Sequence, residues 1–255
     1  MVSFRAHLAP VIGLDLNRNL HLNLRGGLGV RVRSRSRIAL LLVLSHCGSI
    51  LAADTNAVLD AWFAAQTNLH TWKAEFTQTR SLKTLKQPLV TAGQVWVAPP
   101  NNYRWELGMP AQTIALRRAD ELLVIYPVLK RAERYPAGDK ATGPWRDALA
   151  LLEAGFPRDR AELESRFRIL SLTGTEAGWT LGLQPKSAAA QRMIQEIRLS
   201  LATNDFSLRS TELVFVDGSR MRNDFTNAVL NSTLDATLFD WTPPADFKVT
   251  EPLAK

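Results

Sequence analysis

From Trp72 onward, apolar side chains recur at every second position in short runs, and turn residues separate each run from the next. In Trp72-Lys-Ala-Glu-Phe-Thr-Gln-Thr-Arg80, Trp72, Ala74 and Phe76 fall on one side, and Lys73, Glu75 and Thr77 on the other. A β-strand sends successive side chains to opposite faces, so the pattern predicts a strand with one face buried. Runs over 92–98, 103–107, 112–118, 121–126 and 130–135 follow, punctuated by Pro99-Pro-Asn-Asn102 and Ala119-Asp120. Further runs span 167–173, 178–185, 194–201, 206–216 and 219–229. Strands of this length and spacing predict about eleven antiparallel strands joined by hairpins. Asp217-Gly218, between the last two runs, carries the residues that a tight hairpin turn demands.

Helical spacing appears in only a few places. Val58, Leu59, Trp62, Phe63 and Ala65 form an apolar stripe within 54–68, with Asp54 or Thr55 available as a cap. Pro144-Trp-Arg-Asp-Ala-Leu-Ala-Leu-Leu-Glu-Ala154 reads as a second helix, stopped by Gly155 and Pro157, and 159–165 as a further short turn. The tail from Trp241-Thr-Pro-Pro244 reads as extended. Three short helices cannot cover eleven strands. The economical arrangement is a sheet that curls on itself with helices across its mouth, which encloses an apolar space able to hold a ligand.

The net charge of +7 suggests nucleic acid until it is located. Residues 1–53 hold seven arginines and one acid, Asp15, so the remainder carries only +1. A nearly neutral body gives little support to capture of phosphate backbones, and no nucleic-acid partner is expected. The leader has the parts of an export signal: the basic Arg31-Val-Arg-Ser-Arg-Ser-Arg37, the apolar Ile38 to Leu44, then small residues up to Ala53. The apolar run is too short to span a membrane. Cleavage is expected after Ala53, leaving 54–255 as one domain, with 1–53 as an N-terminal extension and signal peptide. The lone cysteine, Cys47, is preceded by His46 rather than a small residue, so lipidation there is not expected. A chain cut at Ala53 has no cysteine and hence no disulfide or thiol chemistry.

Catalytic patterns are missing from the sequence. Past Ala53 there is one histidine, His70, placed in a turn, and no Gly-x-Ser-x-Gly elbow accompanies it. One histidine and no cysteine argue against zinc, and no glycine-rich phosphate loop occurs. Glu162 and Glu164 sit beside arginines, as on a solvated helix face. The expectation is a non-enzymatic protein with no catalytic residues, cofactor or metal.

Aromatic residues instead fall at positions read as inward, among them Trp72, Phe76, Trp96, Tyr103, Trp105, Tyr126, Phe215 and Phe225. At this point the ordered motifs Phe76-Thr-Gln78, Gly93-Gln-Val-Trp96-Val97 and Pro100-Asn101-x-Tyr-Arg104-Trp105 resemble those of LolA-type outer-membrane lipoprotein carriers. Leu122 to Tyr126 followed by Pro127, then Phe206-Ser-Leu, Val216-Asp-Gly-Ser219 and Phe239-x-Trp-Thr-Pro-Pro244, extend the resemblance over about 57 to 250. It implies a mainly β fold: an incomplete, strongly curved antiparallel β-barrel of about eleven strands with a lid of two or three α-helices. It also implies a periplasmic monomer that takes acylated lipoprotein or lipid cargo from an inner-membrane transporter and yields it to an outer-membrane acceptor. The same scaffold serves lipid- and lipoprotein-sensing regulatory proteins, and a dedicated glycolipid carrier paired with an exporter is a further alternative. One departure stands out. Carriers of the family have a basic residue directly before the Pro-Asn, where it helps the lid move; here it is Pro99, with neither a side-chain donor nor an N–H.

In this reading Trp62, Phe63, Leu149, Leu152 and Phe156 form the underside of the lid, with Leu149, Leu152 and Phe156 three and four apart on one helical face. Trp72, Phe76, Trp96, Trp105 and Phe225 line the sheet side of a lipid-binding cavity.

Overall fold

The computed structural model describes residues 55–253. The arginine-rich leader, Cys47 and the expected cut at Ala53 lie outside the described residues. The chain begins with helix α1 (Thr55–Thr67), whose Val58, Leu59, Trp62 and Phe63 are buried. Six strands follow: β1 (Trp72–Ser81), β2 (Leu89–Ala98), β3 (Asn102–Leu107), β4 (Thr113–Arg117), β5 (Glu121–Tyr126) and β6 (Arg131–Pro136). Helices α2 (Gly143–Glu153) and α3 (Arg160–Arg166) come next, then β7 (Phe167–Thr175) and β8 (Gly178–Pro185). After the short α4 (Ala188–Gln191) come β9 (Ile194–Leu201), β10 (Leu208–Phe215), β11 (Arg220–Leu230) and β12 (Lys248–Thr250).

All twelve strands form one sheet in the order β12-β6-β5-β4-β3-β2-β1-β11-β10-β9-β8-β7. Its edges, β12 and β7, are not paired with each other, so the sheet is not closed. Every pairing is antiparallel except β12 with β6. The long-range step is β1 to β11, which joins the two hairpin-built halves in register, with Phe76 opposite Phe225 and Gln78 opposite Asn223.

The expectation of about eleven strands is corrected to twelve. The extra one lies in the tail, where prolines and a short run hid it: Val249 pairs with Ala132 in parallel. The tail first turns through a 3-10 segment, Ala236–Phe239, and lies across the outer face of β4–β6. There Phe239, Trp241, Phe247 and Val249 pack on Ile114, Leu116, Leu123, Ile125 and Ala132. This explains why Leu122 to Tyr126 is buried at every position instead of alternating: one face meets the tail and the other the main core. Arg118 fixes the tail by donating from Nε to Phe239 O (2.9 Å) and from Nη2 to Trp241 O (2.8 Å). Arg104 donates from Nη1 to Leu238 O at 3.1 Å.

A second departure is α4, a single turn that the sequence reading missed, begun by Ser187 whose Oγ accepts from Ala190 N. Ser187 also donates to Asp147 of α2 and so ties the two helices together. The predicted hairpin at Asp217-Gly218 is present, with Gly218 at φ +86° and Phe215 N donating to Ser219 O at 2.9 Å.

The inner face of the sheet and helices α1–α3 share one apolar cluster that draws on strands from both halves, including Val95, Val124, Leu183 and Leu199. Helix α2 is held over it at its N-terminal end by Trp145, which stacks on Tyr135 (centroids 4.6 Å apart) and donates from Nε1 to Pro136 O at 2.6 Å. Helix α3 starts at Asp159, whose carboxylate accepts from Glu162 N, while Glu162 reaches back to accept from Arg158 N at 2.8 Å.

Candidate functional site

Between the inner face of the sheet and α2 and α3 lies a cavity of about 500 Å³, within the range of roughly 300–1,000 Å³ usual for small-molecule sites. Its wall follows from strand alternation. Val95 and Val97 of β2, Tyr103 and Trp105 of β3, and Ala115 and Arg117 of β4 all line it, each pair two residues apart. The register places them in rows. Val95, Trp105 and Ala115 are directly opposite one another across three strands, and Val97, Tyr103 and Arg117 form the next row. On the other side of β1 the wall continues through Met221 and Phe225 of β11, Leu213 of β10, and Ile197 and Leu199 of β9. Leu149 of α2, Ala154 and Phe156 just beyond its end, and Leu163 of α3 cover this space.

The ten expected lining residues fall into distinct places. Trp105, Leu149, Phe156 and Phe225 line the cavity. Trp62, Phe63, Trp72 and Phe76 are buried in the surrounding core, where they support those four rather than facing the space themselves. Phe76 packs on Trp105 with ring centroids 4.2 Å apart, and Trp72 touches both Phe225 (5.0 Å) and Phe156 (5.2 Å). Trp96 is half-buried on the opposite face of β2, out of phase with the cavity-lining Val95 and Val97. The side chain of Leu152 lies outside the described residues.

Polar members of the wall were missed by sequence reasoning. Gln78 is buried and donates from Nε2 to Asn223 Oδ1 (3.1 Å), and Asn223 Nδ2 donates to Thr211 Oγ1 (3.0 Å). All three line the cavity, as a polar ladder across β1, β11 and β10. The signal for Gln78 was available in its phase, two residues beyond Phe76 on the inward side. Arg117 had no such signal, because its strand is buried on both faces.

Arg117 is only 4% exposed. Its Nη1 donates to Ala119 O at 2.9 Å, and its Nε stands 3.4 Å from Glu153 Oε1 of α2. Glu153 also meets Arg166 of α3 at 3.0 Å, Arg166 meets Glu162 at 3.3 Å, and Glu162 meets Arg158 at 3.1 Å. Charges of alternating sign thus run from the sheet through both helices. Burial disfavours the Glu162 carboxylate, but hydrogen bonds from the Arg158 side chain and backbone, with the charge of Arg166, hold its pKa below the usual carboxylate value. Burial drives the Tyr103 phenol far above its ordinary pKa; the charge of Glu153 adds to this and Arg117 opposes it. Tyr103 therefore stays neutral and keeps its O–H.

No cluster of three or more His, Cys, Asp or Glu able to hold a metal occurs among the described residues. His70 is exposed in the turn before β1, and its backbone N donates to Asn231 Oδ1 at 2.8 Å. A chamber whose sheet wall is largely apolar, and whose lining also carries charged and polar groups such as Arg117, Glu153, Gln78 and Asn223, is suited to holding a ligand.

The family model for the outer membrane lipoprotein carrier protein LolA matches residues 67–242. The chain belongs to the LolA family. A curated relative, the outer-membrane lipoprotein carrier protein of Dechloromonas aromatica (strain RCB), is 25% identical over 207 residues, covering 81% of this chain and 89% of that protein. Among solved structures, an uncharacterised conserved protein from Thermus thermophilus is similar at 12% identity and a TM-score of 0.46, over 77% of this chain and 98% of that one. A LolA superfamily protein from Nitrosomonas europaea is similar at 11% identity and a TM-score of 0.38, over 73% and 98%. These structural likenesses are loose, and membership of the LolA family rests on the sequence match. The family is one of lipoprotein carriers, in keeping with the resemblance first carried by motifs such as Pro100-Asn101-x-Tyr-Arg104-Trp105.

Proposed function

We propose that this LolA-family chain is a non-enzymatic periplasmic carrier, exported by its leader and cut near Ala53, that shields the acyl chains of lipoprotein cargo between the inner and outer membranes. In this reading the sheet works as an incomplete, strongly curved barrel and α1–α3 as its lid. An inner-membrane transporter supplies the cargo and an outer-membrane acceptor receives it. The observation that carries the proposal is the apolar cavity between Trp105 and Phe225 on the sheet and Leu149 and Phe156 on the helical side. That one space is bordered by both β4 and β9, six places apart in the sheet, supports the curvature.

The energetics fit a shuttle. Keeping an acyl chain from water is worth about 0.8 kcal/mol per methylene, so a chain of about sixteen carbons carries on the order of 12 kcal/mol. A carrier has only to approach the affinity of the membrane itself, and a chamber roofed by short helices can both admit and release such a chain. The basic residue that assists the lid in other carriers is absent, since Pro99 takes its place. Here the pair Arg117 and Glu153 connects sheet to helix instead.

The test is to express the chain with its leader in a two-membrane bacterium, purify the exported protein without detergent, and weigh it by native mass spectrometry. A bound acylated molecule is the expected result, and its mass names the cargo class. An empty protein that also fails to take up added triacylated lipopeptide would overturn the reading.

A further inference from the structure

Tyr103 and Arg117 are directly opposite each other on β3 and β4, and both lie in the wall of the cavity. Neither Tyr103 Oη nor Arg117 Nε has a hydrogen-bond partner among the described residues, although both atoms are buried. Arg117 Nε does face Glu153 Oε1 at 3.4 Å, but without hydrogen-bond alignment. A buried donor left unpaired is costly, and these two, unlike the equally unpaired indole N–H groups of Trp62 and Trp72, belong to residues that line the cavity. The pair also has a definite position. The next row of the wall, Val95, Trp105 and Ala115, is apolar, and on the other side the mostly exposed β2–β3 turn, Pro99 to Asn102, borders the cavity.

We infer that Tyr103 and Arg117 form a recognition site for a neutral oxygen acceptor, the carbonyl of an acyl ester, at the end of the apolar space; the inference rests on the carrier reading above. The acyl chain lies along Trp105 and Phe225, and its ester carbonyl accepts from Tyr103 Oη and Arg117 Nε. A neutral acceptor fits better than an anion at this spot because the Glu153 carboxylate already stands 3.4 Å from Arg117 Nε. An added anion would meet the Glu153 carboxylate beside it. The phenol, held neutral by burial, keeps its proton available to donate. The site would make the carrier selective for ester-linked acyl chains over hydrocarbon of the same length, which the apolar wall alone cannot do.

The experiment compares binding of dipalmitoyl glycerol and of its dihexadecyl ether counterpart, which lacks the carbonyls, by displacement of a fluorescent fatty-acyl probe from the exported protein. The ester is expected to bind about tenfold more tightly, the scale of one or two hydrogen bonds from a buried site. Tyr103→Phe keeps the ring and removes the donor; it should lower ester affinity about tenfold and leave the ether unchanged. Arg117→Lys keeps the charge and loses the Nε donor, and should erode the same preference. Equal binding of ester and ether by the natural chain would overturn the inference while leaving the carrier reading intact. Equal loss of both lipids in the variants would show a structural role and overturn it as well. Displacement of the ester by inorganic phosphate would reassign the donors to an anion and also overturn it. If neither lipid nor the probe binds, the carrier reading itself fails.

Discussion

The ring of Phe76 on β1 lies over Gly93 on β2: a Cβ added to Gly93 would stand 2.3 Å from Phe76 Cζ and 2.3 Å from the backbone oxygen of Glu106. The missing side chain lets Phe76 reach across the strand to Trp105, which forms the cavity wall. Gly93→Ala should therefore cost about 1–3 kcal/mol as an overpacking change. Urea unfolding would show a lowered midpoint, and an unchanged midpoint would mean that both the Phe76 ring and the β3 backbone at Glu106 yield freely.

The roof of the cavity should be separable from the sheet. Leu149 is buried on α2 and Phe156 is packed against Trp72, and both line the space. Leu149→Glu or Phe156→Glu puts a carboxylate into an apolar chamber, which disfavours both the charge and the cargo. Loss of co-purified lipid with a sheet-like far-ultraviolet circular dichroism spectrum is the expected outcome. Lipid retained at the natural level would remove these residues from the lid.

Trp96 provides the opposite control. It stands on the other face of β2 from Val95 and Val97, so Trp96→Phe should leave acyl-probe affinity unchanged. Trp105→Ala removes a ring from the wall and should weaken binding at least severalfold. Equal effects from the two would mean that β2 does not keep this phase when cargo is bound.

The tail should be releasable through one residue. Arg118 donates to the carbonyls of Phe239 and Trp241, and its loss should cost about 1–3 kcal/mol, the usual scale for bonds from a charged donor. Arg118→Ala should raise hydrogen exchange across 236–250 before any change in the strands around the cavity. Uniform loss of protection would show that the tail is integral to global folding.

Tyr103 and Tyr135 should resist titration in the native state. Burial raises the pKa of Tyr103 and of Tyr135, and Tyr135 is raised further by its hydrogen bond to Glu133. In the unfolded chain each ionises near pH 10, so the unfolded state binds fewer protons above that pH and native stability falls as pH rises. The stabilisation is complete below about pH 10 and declines by about 1.4 kcal/mol per pH unit for each such phenol beyond it. Absorbance at the phenolate band should show these two groups appearing together with alkaline unfolding. A smooth native titration of these two would contradict the burial of their phenols.

Much of the fold was open to reading because strand alternation is local. Trp72, Ala74 and Phe76 mark a buried face without any knowledge of the partner strand, and Asp217-Gly218 fixes a hairpin through the backbone freedom of one glycine at φ +86°. The apolar stripe of α1 was legible for the same reason, since its four buried residues repeat with the helical turn. Trp96 shows where that reading weakens: the aromatic character of the residue suggested an inward place, but its phase against Val95 and Val97 decided the face.

What local pattern could not supply is contact between distant segments. The twelfth strand exists because the tail finds β6 and the outer face of β4–β5, a surface assembled only when the sheet is complete. Gln78 meets Asn223 across 145 positions, and Arg117 meets Glu153 only after α2 is laid over the sheet. The sequence by itself determined eleven of the strands, the faces of those that alternate, and the nearly neutral character of the body, because each depends on neighbours along the chain. The tertiary structure alone decided how the polar groups of the cavity are paired and that Arg117 joins them, because hydrogen bonds and ion pairs depend on separations of a few ångströms between residues far apart in sequence.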